Sequence, residues 1–368
     1  MAKGIGRHGE LFSRLIDPAH LLACARAASR GKRRRTDVAA FLLDLEPHCI
    51  DLARQLADGT WMPSPYSTFT ITVPKPRLIS AAPFRDRVVH HALVSLLEPH
   101  FERRFVQHSY ACRTGKGTHR ALIRASRLFA RRRFVLKGDV AKFFPSIDHA
   151  ILKGIVRGVI CDERLLAVLD RVIDGSNAQE HVMEWFPGDG LFDPAGRRRG
   201  LPIGNLTSQF LANAYLDRFD HTVMDRLRCG EYVRYCDDFL VFGDDRDALW
   251  EVRACADAAL QGLRLRLHPR KGGLHSTRSP VPFLGFVLRG GSRRLGRESM
   301  VRATRRIRSI AAGMERGEVS PQGLRASVCA WIGHARHATS GSIVAHVLRR
   351  SGLPADGPAW SSLPSRAG

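Results

Sequence analysis

Three aspartates stand where carboxylates are uncommon. Asp139 closes the run Phe134-Val135-Leu136-Lys137-Gly138, where apolar residues of strand type give way abruptly to a charge. Asp237 and Asp238 interrupt a second apolar stretch, between Arg234-Tyr235-Cys236 and Phe239-Leu240-Val241-Phe242. Singly, each reads as a turn aspartate facing water. Jointly they point to metal chemistry, because carboxylates packed together cost free energy unless a cation neutralises them. Oxygen ligands on rigid strands suit hard cations, and two Mg²⁺ ions about 3.5–4 Å apart can clamp the attacking and leaving oxygens of a phosphoryl transfer.

That chemistry needs elements to hold the three side chains. Residues 134–136 predict a strand ending at Asp139, and 232–235 with 239–242 predict a β-hairpin carrying Cys236-Asp237-Asp238 at its tip. Upstream, Leu42, Leu45, Cys49, Leu52 and Leu56 recur at helical spacing, predicting a helix from Val38 to Leu56 interrupted or kinked at Pro47 and stopped by Gly59. Tyr66 to Val73 reads as a strand ended by Pro74 and Pro76, and Arg85 to Leu97 as a helix. Asn205 is placed to cap a helix bearing Leu206, Phe210 and Ala214. Beyond residue 290, Ile307, Ile310, Ala311 and Met314 share one helical face, with Arg302, Arg305, Arg306 and Arg308 mostly off it. Gly317 stops that helix, and Ser320-Pro321 starts another bearing Leu324, Val328 and Trp331.

A formal charge of +23 on 368 residues, 44% of them apolar, describes a globular chain with a polyanionic partner. Nucleic acid is the first reading, ahead of an anionic membrane. The eight cysteines are dispersed with no C-x-x-C pair, which argues for reduced thiols and against structural zinc. No apolar stretch reaches membrane-spanning length, and the expected location is cytoplasmic. The histidines (His90-His91, His119, His149, His334, His337) lack partners at ligand spacing and read as packing or surface residues. The arginine runs at 32–35, 131–133 and 197–199 would follow a nucleic-acid duplex.

With Tyr235-Cys236-Asp237-Asp238 as a Y-x-D-D motif in an apolar hairpin, the sequence resembles the reverse transcriptase family. The likeness runs in order from about residue 60 to 340. KPRLIS with Arg77 and FRDRVVHHAL with Asp86-Arg87 resemble the first fingers block, and SYACRTGKGTHRAL the second. GLPIGNLTSQFLANAYLD is similar to the substrate-side block, LHPRKGG with Lys271 to the block after the hairpin, and Phe283-Leu284-Gly285-Phe286 to the primer grip. The resemblance implies an α+β right-hand polymerase. Its parts would be an N-terminal region and fingers (1–105), palm (106–149 and 201–287), a fingers insertion (150–200), a helical thumb (288–352) and a loose tail (353–368).

It also implies roles. Asp139 and Asp237, with the Val140 carbonyl and a supporting Asp238, would bind two Mg²⁺ ions, Mn²⁺ being a possible substitute. Lys271 would stabilise or protonate the leaving pyrophosphate, Lys75 and Arg77 would face the triphosphate, and Phe144 would exclude the 2′-hydroxyl. Ile203, Gly204 and Gln209 would border the incoming dNTP. Arg113, Lys116, Phe283, Leu284, Gly285, Arg302, Arg305 and Arg306 would contact template RNA or the RNA/cDNA duplex.

Most of the family has P-Q-G and S-P where this chain has Pro202-Ile203-Gly204 and Ser208-Gln209. That variant resembles the polymerases of diversity-generating retroelements, which copy a template RNA with errors at adenines and work with a small basic accessory protein. The alternatives are another bacterial reverse transcriptase, of group II intron or antiphage-defence type, and a maturase or scaffold with a vestigial site. Against the intron type, the chain ends soon after the expected thumb, leaving no room for an endonuclease domain; against the scaffold, the carboxylates and Lys271 are intact.

Overall fold

The computed structural model describes residues 10–72, 76–176, 180, 182–227, 231–339 and 342–354. The chain forms two compact units, one of Met1–Arg113, Asp139–Gly230 and Val252–Lys271, the other of Thr114–Gly138, Glu231–Glu251 and Gly272–Gly368.

The first unit is mostly helical. The helix Phe84–Glu102 lies at its centre, burying Val88, Val89, Leu93, Leu97 and Phe101 against the helices Pro18–Ala28, Thr36–Leu43 and Leu206–Tyr215. The helix expected over 38–56 is interrupted, as Thr36–Leu43 and Leu45–Ala57, but the break falls at Asp44 and not at Pro47. A proline ring clashes with the carbonyl four residues back but is tolerated in a first turn, so the break falls three residues before Pro47. Strand β1 (Ser67–Ile71) pairs antiparallel with β2 (Arg77–Ala81). Every residue of β1 is exposed, Phe69 and Ile71 included, so the unit's core does not cover this ribbon's outer strand.

The second unit holds the two larger sheets. Strands β3 (Phe134–Asp139), β4 (Tyr232–Tyr235), β5 (Asp238–Gly243) and β6 (Gly273–Ser276) lie in the order β4-β5-β3-β6, with β4 antiparallel to β5 and β3 to β6. The helix Thr118–Arg131 buries Ala121, Leu122, Ala125 and Phe129, and the Phe129 ring meets Phe242 edge-on at 5.3 Å. Gly138 is obligatory in β3, since a Cβ there would overlap the Phe239 ring. A three-stranded sheet follows, β7 (Val281–Phe283), β8 (Phe286–Arg289) and β9 (Ser292–Leu295), all antiparallel. Three helices, Arg297–Glu315, Pro321–Ala335 and Ser342–Arg350, close around Ile307, Leu324, Val328, Ile332 and Leu348. The first two match the sequence expectation, and the third is a short amphipathic helix for which the sequence reading gave no bounds of its own. Helices and antiparallel strands in these proportions make an α+β fold. Among the described residues no helix is long and apolar enough to cross a membrane.

Candidate active site

In the second unit, Tyr235 pairs with Asp238, leaving Cys236-Asp237 as a two-residue turn. Only Asp237 is therefore at the tip, and Asp238 is the first residue of β5. Cys236 has φ 58°, the positive value a tight hairpin turn demands at its first position and one that a non-glycine residue adopts at a cost. The buried Arg234 braces it, its guanidinium donating to the Cys236 carbonyl at 3.1 Å. Thr118 donates to the Tyr235 hydroxyl at 3.1 Å, tying the motif to the N-terminus of the helix that follows Lys116 and Gly117. Lys116 itself is half-buried.

In the first unit, Asp139 is only 8% exposed. Its carbonyl accepts from His268 at 2.7 Å and the Ala141 N–H donates to Arg266 at 2.9 Å, so Val140 is held opposite Leu267 by its neighbours' bonds. The chain's return at 266–271 brings Lys271 back to Asp139, with Nζ 3.2 Å from Oδ1 and the lysine side chain half-exposed. Phe143 is buried and Phe144 half-buried, their rings packed edge to face at 5.5 Å. The Phe144 carbonyl accepts from Leu201 at 2.9 Å, which joins this segment to the Pro202-Ile203-Gly204 loop. The Ile203 carbonyl in turn accepts from Ser80 of β2 at 3.0 Å. Gly204 has φ 122° and lies so near Ile79 that a Cβ would come within 2.9 Å of its methyl. Gln209 is exposed, and Arg77 is exposed on β2. The first unit thus carries Asp139, Val140, Phe144, Ile203, Gly204, Gln209, Arg77 and Lys271, with Lys271 on Asp139 and the Ile203 loop joined to Phe144 and β2; Lys75 lies outside the described residues.

Three expectations need correction. Arg113 faces inward, its side chain 5% exposed, with Nε and Nη2 on Glu102 at 2.7–3.1 Å and Nη1 on the Val106 carbonyl and Ser109. It clamps the loop after the Phe84–Glu102 helix and is not presented to a phosphate. Phe283 is 1% exposed, a core residue; the turn Leu284-Gly285, both at positive φ, is what β7 and β8 present. Asn205 does not cap its helix with its side chain, which instead accepts from Ala82 N–H and donates to the Ser80 carbonyl, stitching the loop to β2.

Arg302, Arg305 and Arg306 are exposed along the helix Arg297–Glu315, as expected. The arginine runs divide. Arg197 is buried against Asp148 and Asp189 and Arg132 is held by Glu231 and Asp244, so the runs 131–133 and 197–199 do not line a duplex as continuous stretches. Missed by sequence reasoning was a first-unit cavity of about 370 Å³, where Lys32, Arg35, Arg87 and His91 face Gly204 and Gln209. The signal was the basic run at 32–35, which no local pattern connects to residue 204.

Among the described residues, no group of three or more His, Cys, Asp or Glu side chains could hold a metal ion by itself. His119 stacks on His337 at 3.4 Å with rings 14° apart, a packing arrangement that lowers the pKa of both, chiefly by burial.

Residues 71–288, more than half of the chain, match the reverse transcriptase (RNA-dependent DNA polymerase) family. Protein YkfC of Escherichia coli K12 is 27% identical over 280 residues, covering 64% of this chain and 70% of YkfC. The group II intron-encoded protein LtrA of Lactococcus lactis subsp. cremoris is 27% identical over 47% of this chain and 28% of LtrA. The retron Mx65 reverse transcriptase of Myxococcus xanthus is 35% identical over 35% of this chain and 30% of that enzyme. The matched region spans less than a third of the latter two proteins. A family match over more than half the chain, in an α+β fold with Y-x-D-D on a hairpin, identifies an RNA-directed DNA polymerase: the chain belongs to the reverse transcriptase family.

Proposed function

We propose that this reverse transcriptase serves a diversity-generating retroelement, copying a template RNA into cDNA with errors concentrated at template adenines. The observation that carries the reading is Ile203. Its carbonyl is fixed by Ser80 and its successor Gly204 is wedged against Ile79, so the loop backbone is rigid and the half-exposed isoleucine side chain can pack but not hydrogen-bond. Most of the family has a glutamine here. Losing one hydrogen bond to the incoming nucleotide is worth about 1 kcal/mol, roughly a factor of five in discrimination, enough to erode fidelity without stopping synthesis.

In this reading the chain is a right-hand polymerase, with fingers, palm and helical thumb. Asp139, Asp237 and Asp238 hold two Mg²⁺ ions with the Val140 carbonyl, Mn²⁺ being able to substitute. The donors fit, being all oxygen and carried on or beside β3 and β5, neighbours in one sheet. Mg²⁺ is typically held by one or two carboxylates plus water and substrate phosphates, so a site without a closed protein cage is in keeping with it. When bound, the ions would activate the primer hydroxyl and offset charge on the leaving phosphate. Lys271, already paired to Asp139, would donate a proton to pyrophosphate. Arg77 and Lys75 would face the triphosphate, and the exposed face of Phe144 would exclude a 2′-hydroxyl. Lys116, Leu284, Gly285, Arg302, Arg305 and Arg306 would follow the RNA/cDNA duplex. The partners are a template RNA and a small basic accessory protein.

The test is to sequence cDNA made from one defined RNA by the wild-type and Ile203→Gln enzymes. Misincorporation opposite adenine should fall about fivefold in the variant and less opposite other bases. A faithful wild type, or an unchanged adenine error rate, would leave an ordinary reverse transcriptase.

A further inference from the structure

Within the second unit, the arginine run at 131–133 sits at the end of β5 remote from the Asp237 turn. Asp244, just past β5, accepts from the Arg133 backbone N–H at 2.9 Å and from Arg132 at 2.5 Å. The six residues of β5 separate this end from the turn by about 20 Å. Here the segment leaving the helix Thr118–Arg131 meets the one leaving β6: Thr277 donates from its N–H to the Arg133 carbonyl at 3.0 Å and from its hydroxyl to that of Arg132 at 2.6 Å. Between them lies a cavity of about 440 Å³ walled by Arg131, Arg133, Phe134, Arg278 and the Gly290 backbone.

The charges in this cleft are uncompensated. Arg132 takes up both nearby carboxylates, Glu231 and Asp244. Arg131, Arg133 and Arg278 are exposed, as are Arg246 and Arg289 beside them, and among the described residues none of these five has an ion-pair partner. The Arg133 and Arg246 guanidinium groups lie over the Phe134 ring, 5.5 and 5.6 Å from its centre, and Arg289 Nε donates to the Arg278 carbonyl at 2.7 Å. The aromatic ring and the carbonyl hold like charges side by side, a cost that an anionic ligand would offset.

We propose that this cleft is a second RNA-binding surface, distinct from the polymerising site, which takes the phosphate backbone of a folded region of the template RNA. Forked guanidinium groups at several points match successive phosphates, and a concave wall suits a helix backbone better than a flat protein face. The proposal rests on the chain being an RNA-copying enzyme, and the experiment separates the two. The full chain would be compared with Arg131→Gln/Arg133→Gln/Arg278→Gln in binding a 60-nucleotide stem-loop RNA across a salt series, and in extending a short RNA template annealed to a DNA primer. The variant should bind the stem-loop at least tenfold more weakly, with a log K against log salt slope shallower by about two, since each phosphate contact contributes roughly 0.7–0.9. Extension of the short primer–template should be unchanged, which also verifies folding. Unchanged stem-loop affinity and slope would overturn the proposal. So would a parallel loss of short-template extension, which would place the arginines in the polymerising cleft, or equal competition by polyglutamate at matched charge, which would mark a surface for an acidic protein. Absence of extension by the wild type would instead refute the RNA-copying reading.

Discussion

At the scale of single residues, Asp237 and Phe144 make opposite predictions. Asp237 occupies a turn whose geometry is set by its neighbours: Cys236 at positive φ, Arg234 beneath it and Tyr235 anchored to Thr118. Asp237→Asn should leave that hairpin intact while lowering Mg²⁺-dependent primer extension by at least a thousandfold, about 4 kcal/mol in the barrier. Single-turnover extension alongside near-ultraviolet circular dichroism tests both halves, and retained extension would sink the two-metal assignment. Phe144 acts by excluding, so Phe144→Ala should raise rNTP use relative to dNTP use by an order of magnitude with little loss of dNTP incorporation. Its half-buried ring, against the buried Phe143, already distinguishes the pair in a way that two adjacent phenylalanines in a sequence cannot. If the sugar preference does not move, Phe144 belongs to the core.

At the scale of elements, the clearest case is the loop after the Phe84–Glu102 helix. Arg113 spends its donors on Glu102, Val106 and Ser109 and lies 5.1 Å from the Phe105 ring centre. Removing one partner of a nearly buried ion pair leaves the other charge stranded. Arg113→Met should therefore lower unfolding stability by about 3 kcal/mol, read from urea denaturation, and leave the salt slope of RNA binding unchanged. A residue that gripped the template would show the reverse, a shallower slope with stability intact. Asn205 follows the same logic, its amide bridging Ser80 and Ala82 to the start of the Leu206–Tyr215 helix, so β2 and the Ile203 loop move as one body.

At the scale of the whole molecule, acid should be destabilising well above the carboxylate range. His90 is fully buried in the first unit, and burial pushes its pKa from 6.5 down to about 3. Burial also lowers His91, His100 and His149 in the same unit. The unfolded chain takes up a proton at His90 near pH 6.5 and the folded chain does not, so this contribution is full above pH 6.5 and is lost as the pH falls toward 3. The unfolding free energy, read from urea denaturation, should drop steadily from pH 7 to pH 5, and His90→Leu should flatten the drop by about 1 kcal/mol per pH unit below pH 6. Among the described residues neither His90 ring nitrogen has a hydrogen-bond partner, so the apolar replacement strands no donor or acceptor. An identical pH dependence in the variant would show that His90 does not set it.

What the sequence determined by itself was whatever depends on short-range periodicity and on order along the chain. The apolar runs around Asp139 and Asp237-Asp238 and the helical spacing of Ile307 to Met314 are local patterns, and each surfaced as the element expected, while the order of motifs along the chain carried the family. Tertiary structure decided which of many like residues does what. Arg113, Arg132 and Arg197 cannot be told by type from Arg131 and Arg278, yet the first three are consumed by carboxylates brought from 8 to 112 residues away and the last two are not. Whether a guanidinium is a tether or a binding group depends on whether folding delivers a carboxylate to it. Lys271 is the same case with the opposite result: 132 residues beyond Asp139 in the chain, it reaches that carboxylate only because the segment 266–268 pairs beside 139–141.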